Sequence, residues 1–362
     1  MRRYEIDWVR NISILMLFVY HTCAIFTVFG DFYIISEEKN IIANLFIAIM
    51  FVWYMPLLFF LAGASTYFAS KKRSFKEYLL ERIKKLLIPL LFGIVALVPP
   101  QTYMARIWRG ETNLNYIEHL KYFFSTLTDF SGYDGAFSPA HLWFILYLFI
   151  ISVIGGFVVY KIFRDNNKLT GKIKDLVFNK YAVLILISIG IISDLFPSIM
   201  GKSIIGCLII FLLGYLVYSD TQILNKIVSN KNKFSISLLF TMIVGLSYIF
   251  FIRDNIDLVY VNILDTLLKN MVLIFSISTI IIYSGKYLNK DNKVLKYLNK
   301  SAFPVYIIHQ PVLLFIAYLI IPVIKSTTLA MLSIIVISLV TTFLIYEIIN
   351  KIKIFNVLFG AK

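Results

Sequence analysis

Residues 8–29 read WVRNISILMLFVYHTCAIFTVF, an apolar run long enough to cross a bilayer as one helix. Arg10 and His21 are the two residues in it that a plain membrane anchor would not need. At ~1.5 Å per residue, His21 lies ~16 Å above Arg10, near mid-bilayer. A helix of about 3.6 residues per turn brings Asp7, Arg10 and His21 onto one stripe. An ionisable residue inside a membrane helix is costly and usually marks a site or a pathway. The plainer reading of His21 is a hydrogen bond to a neighbouring helix.

The rest of the chain continues in the same manner. It is 59% hydrophobic and 15% charged over 362 residues, with a mean hydropathy of +0.82. A soluble domain of that length could not hide so much apolar surface. The expected fold is therefore all-α, a polytopic transmembrane helix bundle of about 10 spans, forming a single membrane domain over 1–362. Apolar runs place the spans near 8–29, 41–69, 86–104, 141–160, 181–196, 203–218, 234–252, 262–284, 303–323 and 328–350. The run at 41–69 is long and could bend near Pro56. Asp265 and Lys269 interrupt the run at 262–284, at the spacing of an i,i+4 pair. Arg2 and Arg3 precede a run with no clear small-residue cleavage site, so the first run reads as a retained helix. Cys23 and Cys207 both fall in apolar runs, which gives no disulfide framework and no metal-ligand spacing.

The net charge of +15 could suggest nucleic acid, but its distribution indicates membrane topology instead. The N-terminus, the connections near 70–85, 161–180, 219–233 and 285–300, and the C-terminus carry 27 of the 35 Lys and Arg residues. The positive-inside rule then puts both termini in the cytoplasm. On that orientation the one long external loop is about 105–140. It is polar and aromatic, with Arg106, Trp108, Arg109, Tyr116, His119, Asp129, Tyr133 and Asp134, and loops of this length tend to be functional.

Four constellations could carry chemistry. In the first, a neutral His21 can take a proton from a hydroxyl nucleophile, while Arg10 can bind phosphate or pair with Asp7 one turn away. The second is Arg82-Ile83-Lys84-Lys85, leading to Pro89, a cationic surface that could hold a phosphorylated donor such as coenzyme A. Attraction to anionic headgroups explains the same charges. The third is Ser138-Pro139-Ala140-His141-Leu142-Trp143-Phe144, where Trp143 suits an interface anchor and His141 could line an outer vestibule. The fourth is Ser301 to Pro311, in which Tyr306 and His309 stand one turn apart. His309 is a second intramembrane histidine that could pack near the first, and Pro311 should kink its helix and free a backbone carbonyl. No nucleotide-binding glycine loop, metal cluster or nucleophile elbow is evident.

At these places the chain resembles the acyltransferase-3 family of integral membrane O-acyltransferases. Arg10 and His21, with ten residues between them, match its first-span motif. Met55-Pro56-Leu57-Leu58-Phe59-Phe60-Leu61-Ala62-Gly63 resembles its second-span signature. Arg82 and Lys85 fit its basic pair, with Lys85 where a second Arg is usual, which keeps charge but loses the planar fork. His141-Leu142-Trp143-Phe144 and Tyr306-Ile307-Ile308-His309-Gln310-Pro311 are also family-like. Asp7-Trp8 and the two later motifs look most like the glucan biosynthesis protein C branch.

The resemblance implies transfer of an acyl group, acetyl or succinyl, from cytoplasmic acyl-CoA to a carbohydrate hydroxyl at or beyond a bacterial cytoplasmic membrane. The chain is expected to lack the soluble extracytoplasmic domain that many relatives add. The acceptor would then be met in the membrane, or the acyl group passed to an extracytoplasmic partner protein. In that reading Arg10, Arg82 and Lys85 meet the donor's phosphates and His21 is the general base. Asp7 orients Arg10, and Tyr306 or Arg10 is the oxyanion donor. The acceptor enters past His141, Trp143 and His309, and neither a metal nor nucleic acid is involved. The rival class is a non-enzymatic exporter of a polysaccharide or lipid-linked sugar.

Overall fold

A computed structural model describes residues 3–164 and 167–360 of the chain, which leaves Arg2 outside the described residues. Among the described residues the protein is all-α apart from a two-residue strand pair, Ser198–Ile199 with Lys202–Ser203. Among the described residues, eight helices are long and apolar enough to cross a membrane. They are Tyr4–Phe26, Ile41–Ser70, Phe75–Arg109, Ala140–Phe163, Lys231–Asn255, Leu258–Tyr287, Lys293–Ile320 and Thr327–Ile349. A ninth exists if Ile204–Ser219 and Thr221–Ser229, bent by 97° at their junction, count as one span. Each of the ten apolar runs is thus helical. The run at 181–196 forms only Ala182–Asp194, 13 residues long, shorter than the roughly 20 that a bilayer needs.

By its contacts the chain divides into two compact units. The first comprises Met1–Arg10, Ala48–Leu80 and Ile150–Lys290. Its tightest contact is between Tyr54–Ser70 and Ile204–Ser219, where glycine lets two backbones touch. A Cβ on Gly63 would lie 1.8 Å from the Phe211 carbonyl oxygen, and one on Gly214 would lie 1.9 Å from that of Phe60. Apolar attraction between helices is weak in lipid, so close backbone approach of this kind does much of the packing. Beside it Tyr78, Val159, Tyr160, Tyr215 and Leu216 form a buried cluster.

Within this unit the i,i+4 pairing expected of Asp265 and Lys269 gives way to two longer-range pairs. Arg253 holds Asp265 at 3.0 Å, and Lys269 holds Asp194 at 2.7 Å. Each charge finds a partner brought alongside by the fold, and Leu258–Tyr287 runs uninterrupted through both positions.

The second unit comprises Asn11–Ile47, Glu81–Phe149 and Asp291–Lys362. Its centre is the helix Lys293–Ile320, packed against Thr327–Ile349 and Val98–Arg109. Both helices of the first pair start on side-chain caps. Asn292 Oδ1 accepts the Leu295 N–H, and Ser326 Oγ accepts the Leu329 N–H, which satisfies amide groups left open at a helix start. The connection expected at 105–140 is shorter and more ordered than its composition indicates. Helix continues to Arg109, where Gly110 closes it in the left-handed conformation at φ 67°. A second helix, Tyr116–Ser125, begins at Asn115 with a full capping box to Glu118. Arg106, Trp108, Arg109, Tyr116 and His119 are therefore helical residues. Trp108 and Arg109 donate to the carbonyls of Ile35 and Phe32 and pin the 27–40 loop.

Candidate active site

Pro311 sets up the site. It has no N–H, so the carbonyl four residues earlier, that of Ile307, loses its helical partner. Ile307 is fully buried, and an unpaired carbonyl there would be costly. His141 supplies the missing donor, with its Nε2–H bonded to the Ile307 carbonyl at 2.9 Å. In return the Tyr306 hydroxyl donates to the His141 carbonyl. The expected freed carbonyl is thus present, and a histidine has taken it.

His141 reaches this position through a strained turn. It sits in the 3₁₀ turn Ala140–Leu142, preceded by Ala140 at φ 49°, a left-handed conformation that a residue with a Cβ rarely adopts. Ser138 holds the turn in place: its Oγ accepts the Ala140 N–H at 2.8 Å and donates to the Phe130 carbonyl at 2.6 Å. Strain kept in place by local bonds is common where a side chain must be aimed.

His309 is anchored by the helix it belongs to. Its Nδ1–H donates to the Tyr306 carbonyl one turn back. A ring nitrogen facing a carbonyl oxygen must carry the hydrogen, so both tautomers are fixed. His309 presents a bare Nε2 and His141 a bare Nδ1. Both atoms are buried and have no hydrogen-bond partner.

His21 completes the group. Its ring centroid is 5.2 Å from that of His309, which in turn is 5.3 Å from that of His141. Phe32 stacks on the outer face of His21 at 5.5 Å, almost parallel, and Phe18 meets His309 edge-on at 5.7 Å. The His21 Nδ1 is buried without a partner, while the residue as a whole is only half-buried. No carbonyl fixes the tautomer of His21, unlike those of the other two. Among the described residues, no group of three or more His, Cys, Asp or Glu side chains is placed to hold a metal ion.

The structure therefore brings His21, His141, Tyr306 and His309 together in one compact unit. Tyr306 stands there with its single hydroxyl proton committed to the His141 backbone carbonyl. Asp7 and Arg10 form a separate pair, with Arg10 Nη2 at 2.7 Å from Asp7 Oδ1. Both stand at the start of the helix that carries His21. Arg82 and Lys85 converge on Glu81, at 4.0 Å and 2.6 Å, where the helix widens into a π turn over Ile83–Leu87. Trp143 packs on Tyr147 of its own helix at 5.6 Å.

Two polar residues beside the site were not anticipated. Gln310 Nε2 donates to Gln101 Oε1 at 3.0 Å, and Gln101 Nε2 donates to the Leu97 carbonyl at 2.9 Å. Both glutamines are fully buried. An amide side chain inside an apolar run is the signal that points to such a pair. His119 lies in the same unit on Tyr116–Ser125. Its Nε2 is within hydrogen-bond distance of Thr102 Oγ1 and the Pro99 carbonyl. Burial pushes this imidazole below its ordinary pKa. The Pro99 bond opposes that shift, and the nearby Arg106 charge adds to it.

The model of the acyltransferase-3 family, described as an acyltransferase domain, matches residues 3–347, and the chain belongs to that family. It is thus a multi-pass membrane protein of an acyltransferase family. Curated relatives include the glucans biosynthesis protein C of Escherichia coli O1:K1 / APEC, 22% identical over 385 residues. That of Shigella dysenteriae serotype 1 is 22% identical over 380. Each alignment covers 100% of this chain and 95% of the relative. No solved structure matches.

Proposed function

We propose that the protein is an O-acyltransferase that moves an acyl group, acetyl or succinyl, from cytoplasmic acyl-CoA to a hydroxyl of a cell-surface or membrane-associated carbohydrate. The observation that carries this reading is the set of neutral histidines whose bare nitrogens are buried inside a chain of the acyltransferase-3 family. Buried acceptors without partners are expensive, at about 1–3 kcal/mol each, and a stable fold keeps them where a ligand hydroxyl completes them. The relatives named for glucan biosynthesis support a carbohydrate acceptor, and their enterobacterial sources support a bacterial inner membrane.

His21, the most open of the three histidines, takes the hydroxyl proton as the oxygen attacks the thioester carbonyl. The carbon–oxygen bond forms, the carbon–sulfur bond breaks, and the proton passes from the histidine to the departing thiolate. Arg82 and Lys85 exchange Glu81 for phosphate oxygens of the donor. Arg10, held by Asp7, is a separate anion-binding group. The bare Nδ1 of His141 accepts a hydrogen bond from a second hydroxyl of the acceptor, with Trp143 offering an apolar face to the sugar. The test is release of free CoA by purified protein in detergent, given acetyl-CoA or succinyl-CoA with glucose oligosaccharides. Acceptor-dependent release that disappears in His21→Ala supports the reading, and release unchanged in that variant overturns it.

A further inference from the structure

The three histidines differ in what their surroundings allow, and the difference assigns them separate tasks. A backbone carbonyl fixes His309 with its hydrogen on Nδ1, so a neutral His309 can only accept at Nε2. The same holds for His141 at Nδ1, because its Nε2–H is committed to Ile307. His21 is free to carry its hydrogen on either nitrogen, and its buried Nδ1 belongs to the ring that adjoins His309. Only a histidine of this kind can take a proton at one nitrogen while giving another from the opposite side.

The separation fits such a transfer. A head-to-head N–H···N bridge between two imidazoles puts their centroids about 5 Å apart, from an N···N distance near 2.9 Å plus the two ring radii. The observed value is 5.2 Å with a tilt of 31°. Neither His21 Nδ1 nor His309 Nε2 has a hydrogen-bond partner in this resting arrangement, so the transfer requires the two rings to turn toward one another. Phe18 and the helix itself seal His309 from the other side, and the residue has no solvent exposure. A histidine that only braced its helix would need Nδ1 alone, since a carbon in place of Nε2 would remove an uncompensated buried acceptor.

We propose that His309 is a positioning and proton-holding residue that acts through His21, the two forming a relay whose terminal acceptor is His309 Nε2; this rests on the acyl-transfer reading of the site. In the relay, the acceptor hydroxyl gives its proton to His21 Nε2 while His21 Nδ1 gives its own to His309 Nε2. The alkoxide forms the ester bond and the carbon–sulfur bond breaks. The proton on His309 then returns through His21, whose Nε2–H protonates the thiolate to give free CoA. Every proton that leaves the hydroxyl is accounted for at the thiol, and both rings finish neutral.

The experiment measures single-turnover CoA release from acetyl-CoA with glucose oligosaccharides, across mixtures of light and heavy water. It compares wild type, His309→Asn and His309→Gln. Asn keeps a donor for the Tyr306 carbonyl and removes Nε2. Gln keeps a polar group near Nε2 that cannot hold a proton. With two protons in flight, the wild-type rate curves with the deuterium fraction. Both variants should lose about a hundredfold in rate, hold KM for acetyl-CoA within about twofold, and show a straight line. Matching detergent melting temperatures identify a variant that is folded. If one variant fails to fold, the other carries the test. A straight line for wild type, a variant that stays curved, or a His309→Asn rate within about threefold of wild type overturns the relay. Absence of any acceptor-dependent release by wild type overturns the acyl-transfer reading itself, and the relay with it.

Discussion

The turn at Arg82–Lys85 and the three-histidine cluster belong to the same compact unit, yet they handle polarity in opposite ways. At the turn, the charges lie on side chains and are met by another side chain, Glu81. At the cluster, two of the three rings, those of His141 and His309, are met by backbone carbonyls, each of which binds one nitrogen and leaves the other bare. Pairing to a carboxylate cancels charge, and a ligand must displace it. Pairing to a carbonyl orients a ring without using up its basic atom. Arrangements of the second kind suit proton transfer, and those of the first suit exchangeable binding of an anion.

The strongest way to break the comparison is His21→Ala. If the cluster does the chemistry, kcat for acceptor-dependent CoA release falls by about a thousandfold, within the range usual for losing a general base, and the melting temperature moves little. A smaller effect sharpens the role of the freed carbonyl. Pro311→Ala restores an N–H to the Ile307 carbonyl, which then competes with His141. The helix should become more stable, and kcat should fall about tenfold as His141 loses its fixed tautomer, a split that steady-state kinetics and thermal melting resolve.

At the other region the sign reverses. Glu81→Gln removes the carboxylate that Arg82 and Lys85 share, so KM for acyl-CoA should fall by about threefold with kcat unchanged, and the gain should shrink in high salt. The mildest expectation concerns His119, which is buried in the folded state and held below its ordinary pKa. The unfolded chain binds a proton there that the folded chain refuses. The stability it contributes is therefore present above about pH 6.5 and lost as pH falls toward the depressed value. Melting temperature should drop over that window, and His119→Gln should flatten the drop.

The sequence made some of this legible because the deciding physics is local. Ten apolar runs mark the helices. An ionisable residue at mid-span marks His21, and Pro311 announces a free carbonyl four residues earlier. The partner of that carbonyl was not legible, because His141 is 166 residues distant in sequence. It reaches Ile307 only through a turn strained at Ala140. The pairs of Asp265 with Arg253 and of Lys269 with Asp194 were hidden for the same reason, since spacing along one helix is silent about its neighbours. Glu81 was visible in the chain, next to Arg82 and at i,i+4 spacing from Lys85, the spacing at which helical ion pairs form. Tyr306 is legible one turn from His309, and its bond to the His141 carbonyl, far away in sequence, is not.

The central claim is that the bare histidine nitrogens perform the chemistry and the basic turn only holds the donor. A kinetic comparison of His21→Ala with Arg82→Ala, each in detergent with acetyl-CoA and glucose oligosaccharides, tests it most directly. His21→Ala should lose kcat by about a thousandfold at an unchanged KM for acetyl-CoA, and Arg82→Ala should raise KM about tenfold with kcat within about threefold. The opposite split, with His21→Ala changing only KM and Arg82→Ala abolishing kcat, would contradict the account.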